Sequence, residues 1–174
     1  MKNEKTKIKV PRLLIYAAIA AAVIAADQAT KFAAAAALRD IETFPLIKGV
    51  LHFTYVENRG AAFGMFSDKR WIFMVLSSVA LVAIAVFTVI NRKGRMMTNV
   101  ALAMIFGGGV GNMIDRFASG FVIDFIDFRL INFWVFNVAD SFVCIGCGLL
   151  ILSLILGEIK TRKEKKAAGG EAGE

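Results

Sequence analysis

Between positions 112 and 140 the sequence sets Asn112, Asp115, Arg116, Asp124, Asp127, Asn137 and Asp140 at the edges of otherwise apolar stretches. Charged and amide side chains are costly at membrane depth, so their concentration in one part of an apolar chain calls for a purpose. Asp124 and Asp140 are the candidates for bond-breaking. Two carboxylates held close together beside apolar walls resist ionising together and share a proton. Such a pair carries its own base and acid. The ionised member takes a proton from a water that attacks a peptide carbonyl; the protonated member supports the developing oxyanion and then protonates the leaving amine. This chemistry requires neither a metal nor a nucleophilic serine. Asp127 is as near in sequence, and spacing alone leaves the choice between it and Asp124 open.

The elements that must position these residues are membrane spans. The chain is 57% hydrophobic with mean hydropathy +0.64, above the ~45–50% apolar content of soluble domains. Its 174 residues suit a single domain. The net charge of +7 gathers at hydrophobic boundaries and forms no basic face for nucleic acid, so nucleic acid is excluded as a partner. Four stretches are long and apolar enough to cross a bilayer, at about 12–38, 71–90, 96–116 and 138–157. The first is interrupted by Asp27, Gln28, Thr30 and Lys31. Asp27 and Lys31 stand four apart on one helical face and can pair; anchoring and functional roles are both open. The Lys2, Lys5, Lys7, Lys9 and Arg12 cluster before an apolar core resembles a secretory signal. Retaining this segment keeps the amino terminus, Arg92, Lys93 and Arg95, and the basic tail over 160–174 on one side, which the positive-inside rule makes cytoplasmic. Lys69 and Arg70 oppose that bias. The end of the tail, Ala167 to Glu174, is small and polar and predicts disorder.

On the opposite side lie segments 39–70 and 117–139. Val50 to Val56, bounded by Gly49 and by Glu57-Asn58-Arg59-Gly60, predicts a short strand and turn, while Asp124 and Asp127 fall in the second loop. The expected fold is an all-α membrane protein with four transmembrane helices and a small extracytoplasmic β cradle. Gly107, Gly108 and Gly109 predict close helix packing. Cys144 and Cys147 read as small buried hydrophobes and not as a redox pair. His52 has no second ligand beside it, so no metal site is expected. Phe121, Phe125, Phe128, Phe133 and Trp134 suit anchoring at the interface. A transport path would need polar residues along the full depth of the spans, yet Val79–Ile90 and Leu149–Leu156 offer little beyond Thr88 and Ser153. A scaffold gives no reason for aspartates at both rims of one opening.

The runs Gly111-Asn112-Met113-Ile114-Asp115-Arg116, Val122-Ile123-Asp124-Phe125 and Phe136-Asn137-Val138-Ala139-Asp140-Ser141 resemble the ordered blocks of the bacterial lipoprotein signal peptidases, or signal peptidase II. Upstream, Asp27-Gln28 followed by Lys31, and Glu57-Asn58-Arg59-Gly60-Ala61-Ala62-Phe63-Gly64, look like the early blocks of that family. The resemblance implies an aspartyl endopeptidase of the bacterial cytoplasmic membrane, with cytoplasmic termini and an extracytoplasmic site. Its substrate would be a diacylglyceryl-modified prolipoprotein, met among membrane lipids and cut on the amino side of the lipid-bearing cysteine. By position in the motifs, Asp124 and Asp140 take the catalytic roles, and Asn112, Arg116 and Asn137 orient substrate or catalytic groups. Asn58, Asp27 and Lys31 support the site, and Asp115 and Gly111 are structural. The resemblance further implies no cofactor and inhibition by globomycin-like cyclic peptides. One departure is Trp134, where the family often has Pro; a lost Pro frees the loop backbone and leaves its shape open.

Overall fold

A computed structural model describes residues 11–60 and 70–170, with the backbone alone at Arg70, Phe73 and 164–170. Lys2 to Lys9, the Ala61-Ala62-Phe63-Gly64 part of the early motif, Lys69 and positions 171–174 lie outside the described residues. The elements are helix α1 (Arg12–Leu38), strands β1 (Thr43–Ile47) and β2 (Leu51–Asn58), helices α2 (Arg70–Ile90) and α3 (Met96–Ala118), strand β3 (Val122–Phe128), a short 3-10 turn (Arg129–Ile131) and helix α4 (Val138–Gly170). Among the described residues α1, α3 and α4 are long and apolar enough to cross a membrane, and Met74–Ile90 of α2 forms a shorter apolar helix.

Helix α1 shows why its mixed composition still makes a span. Tyr16, Ala20, Val23, Asp27, Lys31, Ala34 and Leu38 are its buried residues, spaced by three or four, so one stripe faces the bundle. The opposite surface exposes apolar side chains such as Leu14 and Phe32, and α2 and α4 do the same with Val79, Val82, Ile151 and Leu154. Apolar surface turned outward while Asp27 is 0% and Lys31 2% exposed is the burial pattern of a lipid-immersed bundle.

Helix α3 is the hub, packing against α1, α2 and α4. Its three consecutive glycines serve three different neighbours. A Cβ on Gly107 would sit 2.8 Å from the Ala20 carbonyl of α1, one on Gly108 would collide with the Ala139 carbonyl of α4, and one on Gly109 would sit 2.6 Å from Leu81 of α2. Successive helical residues point about 100° apart, so one run of small residues lets three helices approach one.

At one end of the bundle lies an antiparallel sheet in the order β1-β2-β3. The predicted strand is observed as Leu51–Asn58, two residues longer at its far end. Asp124 and Asp127 do not lie in a loop: they belong to β3, because Val122-Ile123-Asp124-Phe125-Ile126-Asp127-Phe128 supplies β-branched and aromatic residues that pair with β2. Phe125 is no interface anchor either. It is 7% exposed and packs with Ala34, Leu38 and Phe53, joining the sheet to α1.

Two further expectations give way. Cys144 and Cys147 are free but exposed, since α4 contacts the bundle through a narrow face and leaves the rest of its surface outward. Of the tail whose composition predicts disorder, Ala167 to Gly170 continues α4, since Glu, Lys and Ala favour helix and no proline interrupts them; positions 171–174 lie outside the described residues.

Candidate active site

Four elements converge where the sheet meets the bundle. Helix α3 brings Asn112, Asp115 and Arg116 on one face and ends at Ala118; Gly120, with φ +80°, closes it as its amide bonds back to the Asp115 carbonyl (3.2 Å). The chain turns directly into β3 and Asp124. After the 3-10 turn, residues 132–137 fold back on β3. The Phe125 and Ile126 amides donate to the Phe136 carbonyl (3.0 and 2.8 Å), and the Phe136 amide donates to Ile126 (3.1 Å). The Phe136 ring stacks on Phe128 and meets Phe133 edge-on. These contacts define the loop around Trp134 without a proline.

Asn137 then caps α4. Its Oδ1 accepts the Asp140 amide (2.9 Å) and its own amide donates to Asp140 Oδ2 (3.2 Å), a reciprocal capping box with Asp140 at the third helical position. The cap therefore uses one candidate catalytic carboxylate as part of its own geometry. The other is reached by the same residue: Asn137 Nδ2 donates to Asp124 Oδ1 (2.7 Å). Asn58, at the end of β2, donates to Asp124 Oδ2 (2.9 Å). Asn112 Nδ2 donates to Asp140 Oδ1 (2.7 Å). Each aspartate thus has one N–H donor on each oxygen.

The orientation of Asn112 is dictated from behind. Its Oδ1 accepts from Lys31 Nζ (2.8 Å) and Asn137 Nδ2 (3.0 Å), so only Nδ2 is left to face Asp140. Lys31 Nζ also donates to Asp27 Oδ2 (2.8 Å) and forms an ion pair with Asp115 (2.7 Å). Asp27 Oδ1 accepts the Ala139 amide of α4 (3.0 Å). Arg116 Nη1 donates to the Asn112 carbonyl (3.3 Å). Gln28, one of the polar residues that interrupt the first span, belongs to this cluster, donating to Asp115 Oδ1 (2.9 Å) and the Gly111 carbonyl (3.2 Å). Its signal was its place between Asp27 and Lys31. Ser141, whose hydroxyl donates to the Asn137 carbonyl (3.0 Å), carries no signal beyond its place at the end of the Phe136–Ser141 run.

Asp124, Asp140, Asn58, Asn112 and Arg116 line one cavity of about 870 Å³. Val56, Val122, Phe133, Trp134, Phe136 and Val143 supply apolar wall. Burial and the neighbouring Asp140 charge raise the Asp124 pKa against the pull of its Asn58 and Asn137 hydrogen bonds, to about 6. Asp127 is not on this cavity. Three residues from Asp124 on a strand, it points to the other face, where it accepts from Thr54 Oγ1 (2.7 Å) and Arg129 Nε (2.9 Å). Burial alone would raise its pKa, but those two hydrogen bonds and the Arg129 charge hold it below the usual carboxylate value. His52 pairs with Asp127 across the strands and its Nε2 accepts the Gly49 amide (3.2 Å).

Comparison with known proteins bears on what this cavity serves. A family profile described as "Signal peptidase (SPase) II" matches residues 19–156. The chain is similar to the lipoprotein signal peptidase of Brevibacillus brevis, 42% identical over 84% of this chain and 99% of that one. It is also similar to the lipoprotein signal peptidase of Caldanaerobacter subterraneus, 46% identical over 76% of this chain and 90% of that one. A solved structure described as a bacterial membrane enzyme superposes with a TM-score of 0.75 at 34% identity, covering 81% of this chain and 87% of the other.

Proposed function

The chain belongs to the signal peptidase II family, and on that premise we propose that Asp124 and Asp140 are the catalytic pair of a lipoprotein signal peptidase that cuts lipid-modified prolipoproteins. The observation that carries the assignment is Asn137, which hydrogen-bonds both carboxylates at the rim of one partly apolar cavity. Amide donors on both sides favour the charged form without neutralising it, and the neighbouring charges disfavour double ionisation. One proton on the pair then serves both halves of the reaction. Water oxygen attacks the peptide carbonyl carbon as the ionised carboxylate takes a water proton. The protonated carboxyl hydrogen-bonds the carbonyl oxygen as negative charge develops there, and the C–N bond breaks with proton transfer to the amine.

The substrate is diacylglyceryl-modified and is cut on the amino side of the modified cysteine. A site at the edge of a lipid-immersed bundle suits a substrate that arrives laterally by its acyl chains. The enzyme lies in the bacterial cytoplasmic membrane as one peptidase domain, with both termini cytoplasmic and the sheet outside, as the charge bias of the loops supports. Arg116 presents its guanidinium at the cavity wall to orient substrate, and cyclic peptides of the globomycin type compete there. The test is to incubate the purified full-length protein in detergent with a lipid-modified precursor. Release of the signal segment is expected, and an unmodified precursor should remain uncut. No release, or equal cutting of both, refutes the reading.

A further inference from the structure

Ala139, the residue before Asp140, is 0% exposed and is held from two helices. Its amide donates to Asp27 Oδ1 of α1 (3.0 Å). Its carbonyl faces Gly108 of α3 so closely that an added Cβ there would collide with it and lie 2.8 Å from Val143 Cγ2. The Asp27 carboxylate has room only because α3 carries glycine at 111, where a Cβ would stand 2.5 Å from Asp27 Oδ2. We propose that Gly108 and Gly111 are positioning residues of the reaction, which with Asp27 clamp Ala139 and so set where Asp140 stands relative to Asp124.

The inference rests on the catalytic reading of the two aspartates and adds a division of labour within the glycine run. Gly107 and Gly109 are crowded too, an added Cβ standing 2.8 Å from the Ala20 carbonyl and 2.6 Å from the end of Leu81, yet those neighbours lie on helices that carry neither aspartate. Only Gly108 faces the first turn of α4. Displacing that turn would pull Asp140 away from Asn112 Nδ2 at 2.7 Å and distort the Asn137 cap. Misplacement of a reacting group by about 1 Å costs on the order of 100-fold in rate.

The experiment compares Gly108→Ala, Gly111→Ala and Gly109→Ala in the full-length protein, reading kcat, KM and Tm with a lipid-modified precursor in detergent. Gly108→Ala and Gly111→Ala should lower kcat by about 10- to 100-fold and leave KM close to wild type. Gly109→Ala, whose clash is with the flexible end of Leu81, should keep kcat even where its Tm falls. Losses that track Tm whichever helix the glycine faces, or that appear in KM, overturn the proposal. Should Gly108→Ala fail to fold, Gly111→Ala probes the same clamp by displacing only the Asp27 side chain. A wild-type protein that releases no signal segment would sink the catalytic reading, whereas an active wild type with direction-blind glycine variants would sink only the clamp.

Discussion

Asp124 and Asp127 lie three residues apart on β3, both more than nine-tenths buried, and each accepts two side-chain hydrogen bonds, yet they are tuned in opposite directions. On one face Asp124 meets amides, apolar wall and a second carboxylate, and its pKa is pushed up to about 6. On the other face Asp127 meets Arg129 and Thr54, and its pKa is lowered. The number of hydrogen bonds does not separate them. What differs is what stands against burial: at Asp124 burial prevails and the Asp140 charge adds to it, so its proton is exchangeable near neutral pH, whereas at Asp127 the Thr54 and Arg129 hydrogen bonds and the Arg129 charge outweigh burial and keep it a carboxylate.

The largest expected break between the faces is in turnover. Asp124→Asn and Asp140→Asn should each reduce release of the signal segment by about 10³-fold or more, the range for losing a positioned acid or base. Asp127→Asn should process precursor near the wild-type rate. Equal loss at Asp127 would move the chemistry to the wrong face of β3 and end the assignment. A smaller effect sharpens the same contrast. The free enzyme's kcat/KM should decline above about pH 6, roughly tenfold per unit, as the singly protonated pair disappears; the inflection belongs to the pair. Asn58→Ala removes one donor that favours the ionised form of Asp124, so the declining limb should move to higher pH. A limb that stays put while the rate falls would make Asn58 a substrate contact and not a partner of Asp124.

Much of this contrast could not be read from the chain alone. The spans were legible because their apolar stretches are long, and the dyad could be named because the blocks around Asp124 and Asp140 resemble a family. Asp124 against Asp127 was not resolvable by spacing, since the choice depends on a strand alternation that exists only once Val122–Phe128 pairs with β2. The place of Phe125 is hidden for the same reason: an aromatic next to a membrane is a sound anchor until strand pairing turns it toward Ala34 and Leu38. Cys144 and Cys147 show the limit of composition in a bilayer, where an apolar run is no guide to which side faces protein. Asp27 and Lys31 were visible as a pair, but the Ala139 amide and Asn112 as their further partners are tertiary facts separated by more than 80 positions.

The smallest expected effect separates the faces by the sign of a stability change. Asp124 has a folded-state pKa above its value of 3.8 in the absence of the fold. Its contribution is therefore complete below that value and is lost as pH rises through about 6, because charging it in the cavity costs desolvation. An asparagine cannot ionise, so Asp124→Asn should gain thermal stability relative to wild type as pH rises from about 4 to about 8. Asp127 behaves in reverse: its folded pKa is depressed, so its contribution is present above the unfolded value and is lost as pH falls through the folded one. Asp127→Asn should lose stability at pH 8, by about 1 kcal/mol given that Arg129 is 43% exposed and partly screened, and converge on wild type in acid. Thermal unfolding of the three proteins in one detergent at both pH values decides the matter. A gain at pH 8 for both variants would mean that burial outweighs the Thr54 and Arg129 partners at Asp127 as well.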